Sequence, residues 1–220
     1  MTGLNIVQEV IVWILPVLFA VTVHEVAHGW VASRLGDKTA LMLGRLSLNP
    51  IKHIDMVGTI IVPFLSLMLG GFVFGWAKPV PVDYRNLHHP RRDAALVAIA
   101  GPVSNLLMAI FWAFIAKLGV IMLDPQSTTF SPALFLEYAG RAGISINLVL
   151  MILNLLPIPP LDGSRVVSSL LSPRLANVYD AIEPYGFFIL ALLIFTKVLS
   201  SILGPPLYWM QSVFVQVFSL

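Results

Sequence analysis

VQEVIVWILPVLFAVTVHEVAHGWVASR, residues 7–34, is an apolar run with an ionisable cluster set near its far end. A membrane helix needs roughly 20 mostly apolar residues. After Glu9 the run carries no charge until His24, Glu25 and His28. A charged side chain at mid-membrane costs about 2.5–3.5 kcal/mol even on lenient scales. Three ionisable groups in about one helical turn therefore require a compensating role. On a helix, His24 and His28 share a face. Both imidazoles can then bind one metal ion, and Glu25, about 100° round from His24, can reach a water on that ion. This is the HExxH arrangement, with two histidine ligands and a glutamate as general base. A pair of interfacial anchoring histidines is the plainer alternative, and the cost of the buried charges weighs against it. Ala27, Gly29 and Ala32 are small, so another element can approach this end closely.

The composition supports a membrane protein. The chain has 220 residues, 58% hydrophobic and 11% charged, against about 25% charged in soluble domains. A net charge of +2 is too small to argue for nucleic acid as a partner. There is no cysteine, so any metal must use nitrogen and oxygen ligands. The start MTGLNIVQEV has no Lys or Arg, so it lacks the basic region of a signal peptide, and the first apolar segment is expected to persist.

The expected fold is an all-α polytopic membrane protein of about five membrane helices or helical segments. The apolar runs are 7–34, with Pro16 as a potential kink, 94–116, 142–161 and 184–203, which tolerates Lys197. Lys117 can snorkel from the end of its run. The tail from Leu207, set off by Pro205 and Pro206, reads as an interfacial or packed helix. Arg34, Lys38, Arg45 and Lys52 follow the first run, while 119–140 holds Asp124 and Glu137 and no basic residue. By the excess of Lys and Arg in cytoplasmic loops, the first helix runs outside to inside, and 162–183 lies inside. The uncharged stretch 57–77 has basic residues on both sides, so a single crossing conflicts with that rule. A re-entrant element over about residues 57–82 resolves the conflict: a helix enters, and GGFVFGWAKPVPV returns as extended β-like chain. Such a strand must be paired or line a cavity. The whole chain, 1–220, reads as one membrane-embedded domain, with a core at about 7–175, C-terminal helices over 184–220 and no soluble domain.

A catalytic zinc with two histidines needs a third protein ligand and an open position. His53, Asp55, Asp83, His88, His89 and Asp162 are the candidates. Most lie beside basic residues, where a solvated charge is the ordinary reading. Asp162 follows NLLPIPPL (154–161), on the same side as His24 and His28. Three prolines forbid a regular helix there, so the chain can unwind and present Asp162 sideways. Asn105 and Asn154 also fall inside apolar runs, where each either bonds a neighbouring helix or takes part in catalysis.

Three motifs in order, HEVAH (24–28), GPVSN (101–105) and NLLPIPPLDG (154–163), make the chain resemble the site-2 proteases, membrane-embedded zinc metalloproteases that cut substrates within the bilayer. GRLSLNPIKHIDMVGT and FGWAKPVPVDYRNL resemble the compact prokaryotic members, and the resemblance covers most of 10–175. It implies one Zn2+ held by His24, His28 and Asp162, with Glu25 as base. It also implies that Asn154 and Asn105 lie near the site, orienting substrate or stabilising an oxyanion. The segment near 72–82 would pair with an unwound strand of a transmembrane substrate. It further implies a multi-pass protein of the cell membrane with its site toward the cytoplasm. The PDZ and CBS modules of some members are lacking, which leaves regulation and substrate choice without a candidate.

Two rival readings remain at this level. Another HExxH class would take a glutamate as third ligand, for which Glu137 and Glu183 are available. A catalytically inactive zinc-binding scaffold or a transporter would not be an enzyme. A transporter would show ionisable groups on several spans, whereas here they gather at one end of two segments.

Overall fold

A computed structural model describes residues 4–61, 77–123 and 130–220. Among them the chain forms eight α-helices and no strand: α1 (Ile6–Arg34), α2 (Thr39–Met42), α3 (Pro90–Met122), α4 (Pro132–Asn154), α5 (Asp162–Leu170), α6 (Pro173–Asp180), α7 (Gly186–Phe195) and α8 (Val198–Phe218). Four described segments are long and apolar enough to cross a membrane: Ile6–Arg34, Pro90–Met122, Pro132–Asn154 and Pro173–Phe195. This is an all-α, multi-pass membrane protein.

Local chemistry starts the helices where they start. Asn5 accepts from Gln8 N–H at 2.9 Å and its own N–H donates to the Gln8 side chain at 2.9 Å, a reciprocal cap for α1. Pro90 and Pro132 open α3 and α4 at first-turn positions, where the missing N–H costs nothing. Ser131 adds a cap to Leu134 N–H at 3.2 Å.

Helices α3 and α4 form the centre. In lipid, apolar side chains gain little by leaving the solvent, so close packing and buried hydrogen bonds hold helices together. Gly140 of α4 lies against Ala116 of α3, and Gly143 against the ring of Trp112. Ala109, Ala113, Ala116 and Leu148 are buried at this contact. Outward, α1 exposes Val10, Ile11, Ile14 and Leu15, as a lipid-facing surface should.

The loop after α1 is tied to the stretch that precedes α3. Asp37 is fully buried. Its carboxylate accepts from the Thr39 hydroxyl at 2.5 Å, from Asp83 N–H at 2.9 Å and from the Asn86 amide at 3.0 Å. Burial by itself would raise its pKa, but those donors outweigh it and hold the group below the usual carboxylate range. Gly36 adopts φ +118° beside this knot, and a Cβ there would meet Asn86 O at 2.7 Å.

Several boundaries differ from the sequence expectation. Helix α4 starts at Pro132 rather than near 142, because Glu137 and Arg141 pair at 3.1 Å and the helix carries both. It stops at Asn154, since the prolines that follow lack N–H donors. The run 184–203 is not one helix: Lys197, at φ 60°, breaks it between α7 and α8. Pro205 and Pro206 do not set off the tail but lie inside α8. Packing holds that helix: Leu207, Met210 and Phe214 seat on the α3–α4 core, and Gln211 donates to Ser145 Oγ at 3.2 Å. Most of the expected re-entrant element, 62–76, lies outside the described residues. Of its ends, Met56–Ile61 is a wide helical turn, and 77–82 is neither helix nor strand.

Candidate metal centre

The site forms where α1, α3 and the start of α5 meet. His24 and His28 project from one face of α1 toward Asp162, the first residue of α5. His24 Nε2 lies 3.2 Å from Asp162 Oδ2, His28 Nε2 lies 3.3 Å from the same oxygen, and the two nitrogens are 3.1 Å apart. The proline turn delivers Asp162 to the two histidines. Tyr179 Oη donates to Pro157 O at 2.7 Å and ties that turn to α6. Gly163 lets the start of α5 fold back on the turn, for a Cβ there would meet Leu155 O at 2.3 Å.

The hydrogen bonds behind the rings settle which nitrogens face inward. His28 Nδ1 lies 2.7 Å from Val97 O, a carbonyl that can only accept, so Nδ1 carries a proton and, in the neutral ring, Nε2 is the bare nitrogen. His24 Nδ1 lies 2.6 Å from Asn105 Oδ1. The Asn105 amide is oriented by its own donations, to Ala20 O at 3.2 Å and to Asn147 Oδ1 at 2.9 Å. Its oxygen must therefore face His24, which in the neutral ring again leaves Nε2 bare. Asn147 in turn donates to Gly143 O at 2.8 Å. A ring nitrogen held by a carbonyl acceptor is the usual support of a metal-ligating histidine.

The donor set fits a divalent cation. Asp162 Oδ2 is buried with no hydrogen-bond partner. With both rings neutral, two bare nitrogens and an anionic oxygen crowd within about 3 Å, a repulsive arrangement that a cation among them relieves. Donors about 2.0–2.1 Å from a tetrahedral zinc stand about 3.3–3.4 Å apart, close to the three separations found. His24, His28 and Asp162 are also the one such group of three among the described residues.

Gly101 of α3 closes the site from behind. A Cβ there would meet His28 Nε2 at 2.4 Å and His24 Cε1 at 2.5 Å. The glycine of GPVSN thus leaves room for the rings, and its asparagine aligns one of them. Asn105 is fully buried, so it faces His24 rather than open space. Asn154 is half-buried at the end of α4, and its amide donates to Leu150 O at 3.0 Å. Glu25 accepts from Val80 N–H at 2.8 Å. His53 bonds Ser47 O at 2.8 Å and Asp83 pairs with Arg85 at 2.8 Å, away from the cluster. The Arg85 guanidinium holds the Asp83 carboxyl at about 2. Glu183 pairs with Arg165 at 2.6 Å, and Glu137 with Arg141, so neither joins the site.

Sequence reading missed Asn147, Val97 and Val80. Asn147, a polar residue inside an apolar run, was detectable. The other two act through backbone atoms and leave no sequence signal.

A sequence profile of peptidase family M50 matches residues 12–131 and 119–196. The chain is 40% identical over 210 residues to YwhC of Bacillus subtilis (strain 168), covering 94% of this chain and 90% of that one. It is 29% identical over 194 residues to Rip2 of Mycolicibacterium smegmatis, covering 87% and 70%. Both relatives bear the name "Putative zinc metalloprotease". No solved structure matches the chain. With the family profile and the relatives in agreement, the chain belongs to peptidase family M50, the family of the site-2 proteases.

Proposed function

We propose that the chain is a zinc metalloendopeptidase that hydrolyses peptide bonds of transmembrane substrates within the bilayer. One observation carries this reading: His24, His28 and Asp162 converge on a single point next to Glu25, at the end of an apolar helix. The family membership and the names of the relatives support it. In this reading the protein lies in the cell membrane, and the Lys and Arg bias of the loops supports a site toward the cytoplasm.

His24, His28 and Asp162 would hold one Zn2+, which supplies Lewis-acid polarisation and a lowered pKa for water at neutral pH. The residues of the chain do the rest. Asn105 and Val97 O keep both Nδ1 protons in place, so the Nε2 lone pairs stay aimed inward. Glu25 holds Val80 N–H with Oε2, and its Oε1 takes a proton from water and returns it to the leaving nitrogen. Asn154 retains one amide hydrogen beyond its bond to Leu150 O, and donates it to substrate or to the developing oxyanion. The substrate helix must unwind first, because its carbonyls are hydrogen-bonded and shielded. Pro79 and Pro81 have no N–H, and that of Val80 is taken by Glu25. Strand pairing along residues 79–81 can therefore use only carbonyls.

The test is zinc analysis of purified protein together with cleavage of a single-span peptide, wild type against Glu25→Gln. Zinc in both proteins and turnover only in wild type is the expected result. Equal turnover in both would sink the assignment of Glu25 as base.

A further inference from the structure

We infer that Arg45 is a positioning residue for Glu25, acting through the backbone of Lys78–Val80; this rests on the metalloprotease reading above. The chain KPVPV (78–82) has proline at 79 and 81, so Val80 supplies the one backbone donor between Lys78 and Val82. That donor is spent on Glu25 Oε2 at 2.8 Å. Prolines on both sides restrict this stretch to extended conformations but do not fix where it lies relative to α1. Arg45 does. Its guanidinium donates to Lys78 O at 3.1 Å and to Pro79 O at 3.4 Å, the two carbonyls just before the Val80 N–H. Lys78 N–H is pinned in addition to His53 O at 2.9 Å, and the buried His53 ring is held by Ser47 O at 2.8 Å. The Val80 side chain lies against Gly29, one residue past the second ligand histidine.

The surroundings of Arg45 fit such a role. Among the described residues no carboxylate pairs with it, and its Nε is buried without a hydrogen-bond partner. A half-buried cation held only by carbonyls is a costly way to fasten a loop. A guanidinium gripping two successive carbonyls fixes the orientation of the next peptide plane, and so the direction of the Val80 N–H. With that bond in place one carboxylate oxygen is committed, and the other faces a fixed direction. A general base displaced by about 1 Å loses up to about 100-fold in rate.

The test uses full-length protein in detergent, with a fluorogenic single-span peptide and zinc analysis of every variant. Arg45→Ala should lower kcat about 10- to 100-fold and leave KM, zinc content and thermal midpoint near wild type. Val80→Pro, which deletes the N–H, should do the same and should turn over well below Val80→Ala, which keeps it. The double variant Arg45→Ala with Val80→Pro should be no slower than Val80→Pro alone, because both break one chain of contacts. Added guanidinium should restore turnover to Arg45→Ala. Lys52→Ala removes a neighbouring charge that bonds Gly44 O, and should turn over normally. Undiminished kcat in Arg45→Ala, loss of its zinc, or multiplied effects in the double variant would overturn the inference. If Arg45→Ala does not fold, Val80→Pro against Val80→Ala and the partial activity expected of Arg45→Lys decide. Turnover that Glu25→Gln abolishes but Arg45→Ala spares sinks this inference alone. Turnover that survives Glu25→Gln sinks the assignment of Glu25 as base and this inference with it, whereas wild type without zinc and without turnover sinks the protease reading.

Discussion

Gly101→Ala adds a single methyl group behind the candidate metal centre. That carbon would start 2.4 Å from His28 Nε2, 2.5 Å from His24 Cε1 and 2.6 Å from His28 Cε1, where ordinary contact begins at 3.4 Å. The rings must therefore retreat by about 1 Å, or α3 must move away from α1. Neither is easy. Both rings are hydrogen-bonded through Nδ1 to Asn105 and Val97, on the same helix as Gly101. Retreat from the methyl also stretches those bonds. Disturbing one such support typically lowers metal affinity 10- to 100-fold. With both affected, affinity should fall by about 100-fold or more, roughly 2.7 kcal/mol. Chelator competition on detergent-purified protein reads this directly, with thermal unfolding to confirm that the variant folds. Gly204→Ala is the control: nothing lies within 4 Å of a Cβ there, so its zinc affinity should match wild type. A folded Gly101→Ala protein that binds zinc as tightly as wild type would refute the proposed packing of α3 against the two histidines.

Glu25→Gln should keep zinc and lower kcat by about 10²–10⁴-fold, the usual worth of a general base; stoichiometry and peptide cleavage check both. Asn105→Ala should lower zinc affinity about 10- to 100-fold by freeing the His24 ring, while Asn154→Ala should leave zinc in place and reduce turnover. Because the folded Asp37 pKa lies below its ordinary value of 3.8, its contribution to stability is complete above that value and is lost as pH falls through the folded one. Asp37→Asn should therefore lower the thermal midpoint at neutral pH and reduce its fall in acid; a midpoint that follows the wild-type acid curve would contradict this.

Much of the site could be read from residue types and order. Spacing alone put His24 and His28 on one face of α1, and the prolines at 157, 159 and 160 foretold the unwound turn before Asp162. The supporting shell was less legible. Asn105 stood out as an amide in an apolar run, but whether it met a ligand histidine or substrate depended on the register of α3 against α1, which only packing decides. The Val97 and Val80 contacts come from the backbone, and any residue but proline could supply the Val80 donor. Some helix ends were misread where another contact rescues unfavourable residues: Glu137 and Arg141 pair with each other along α4, and packing on the α3–α4 core holds α8 around Pro205 and Pro206.

The central claim is that the two Nε2 atoms and Asp162 Oδ2 share one cation. X-ray absorption at the zinc edge, on wild type and Asp162→Ala at matched zinc loading, tests it most directly. Wild type should show two imidazole nitrogens and a carboxylate oxygen about 2.0–2.2 Å from the metal, and Asp162→Ala should lose the carboxylate contribution and most of its affinity. An unchanged spectrum and affinity in Asp162→Ala would show that the third ligand lies elsewhere.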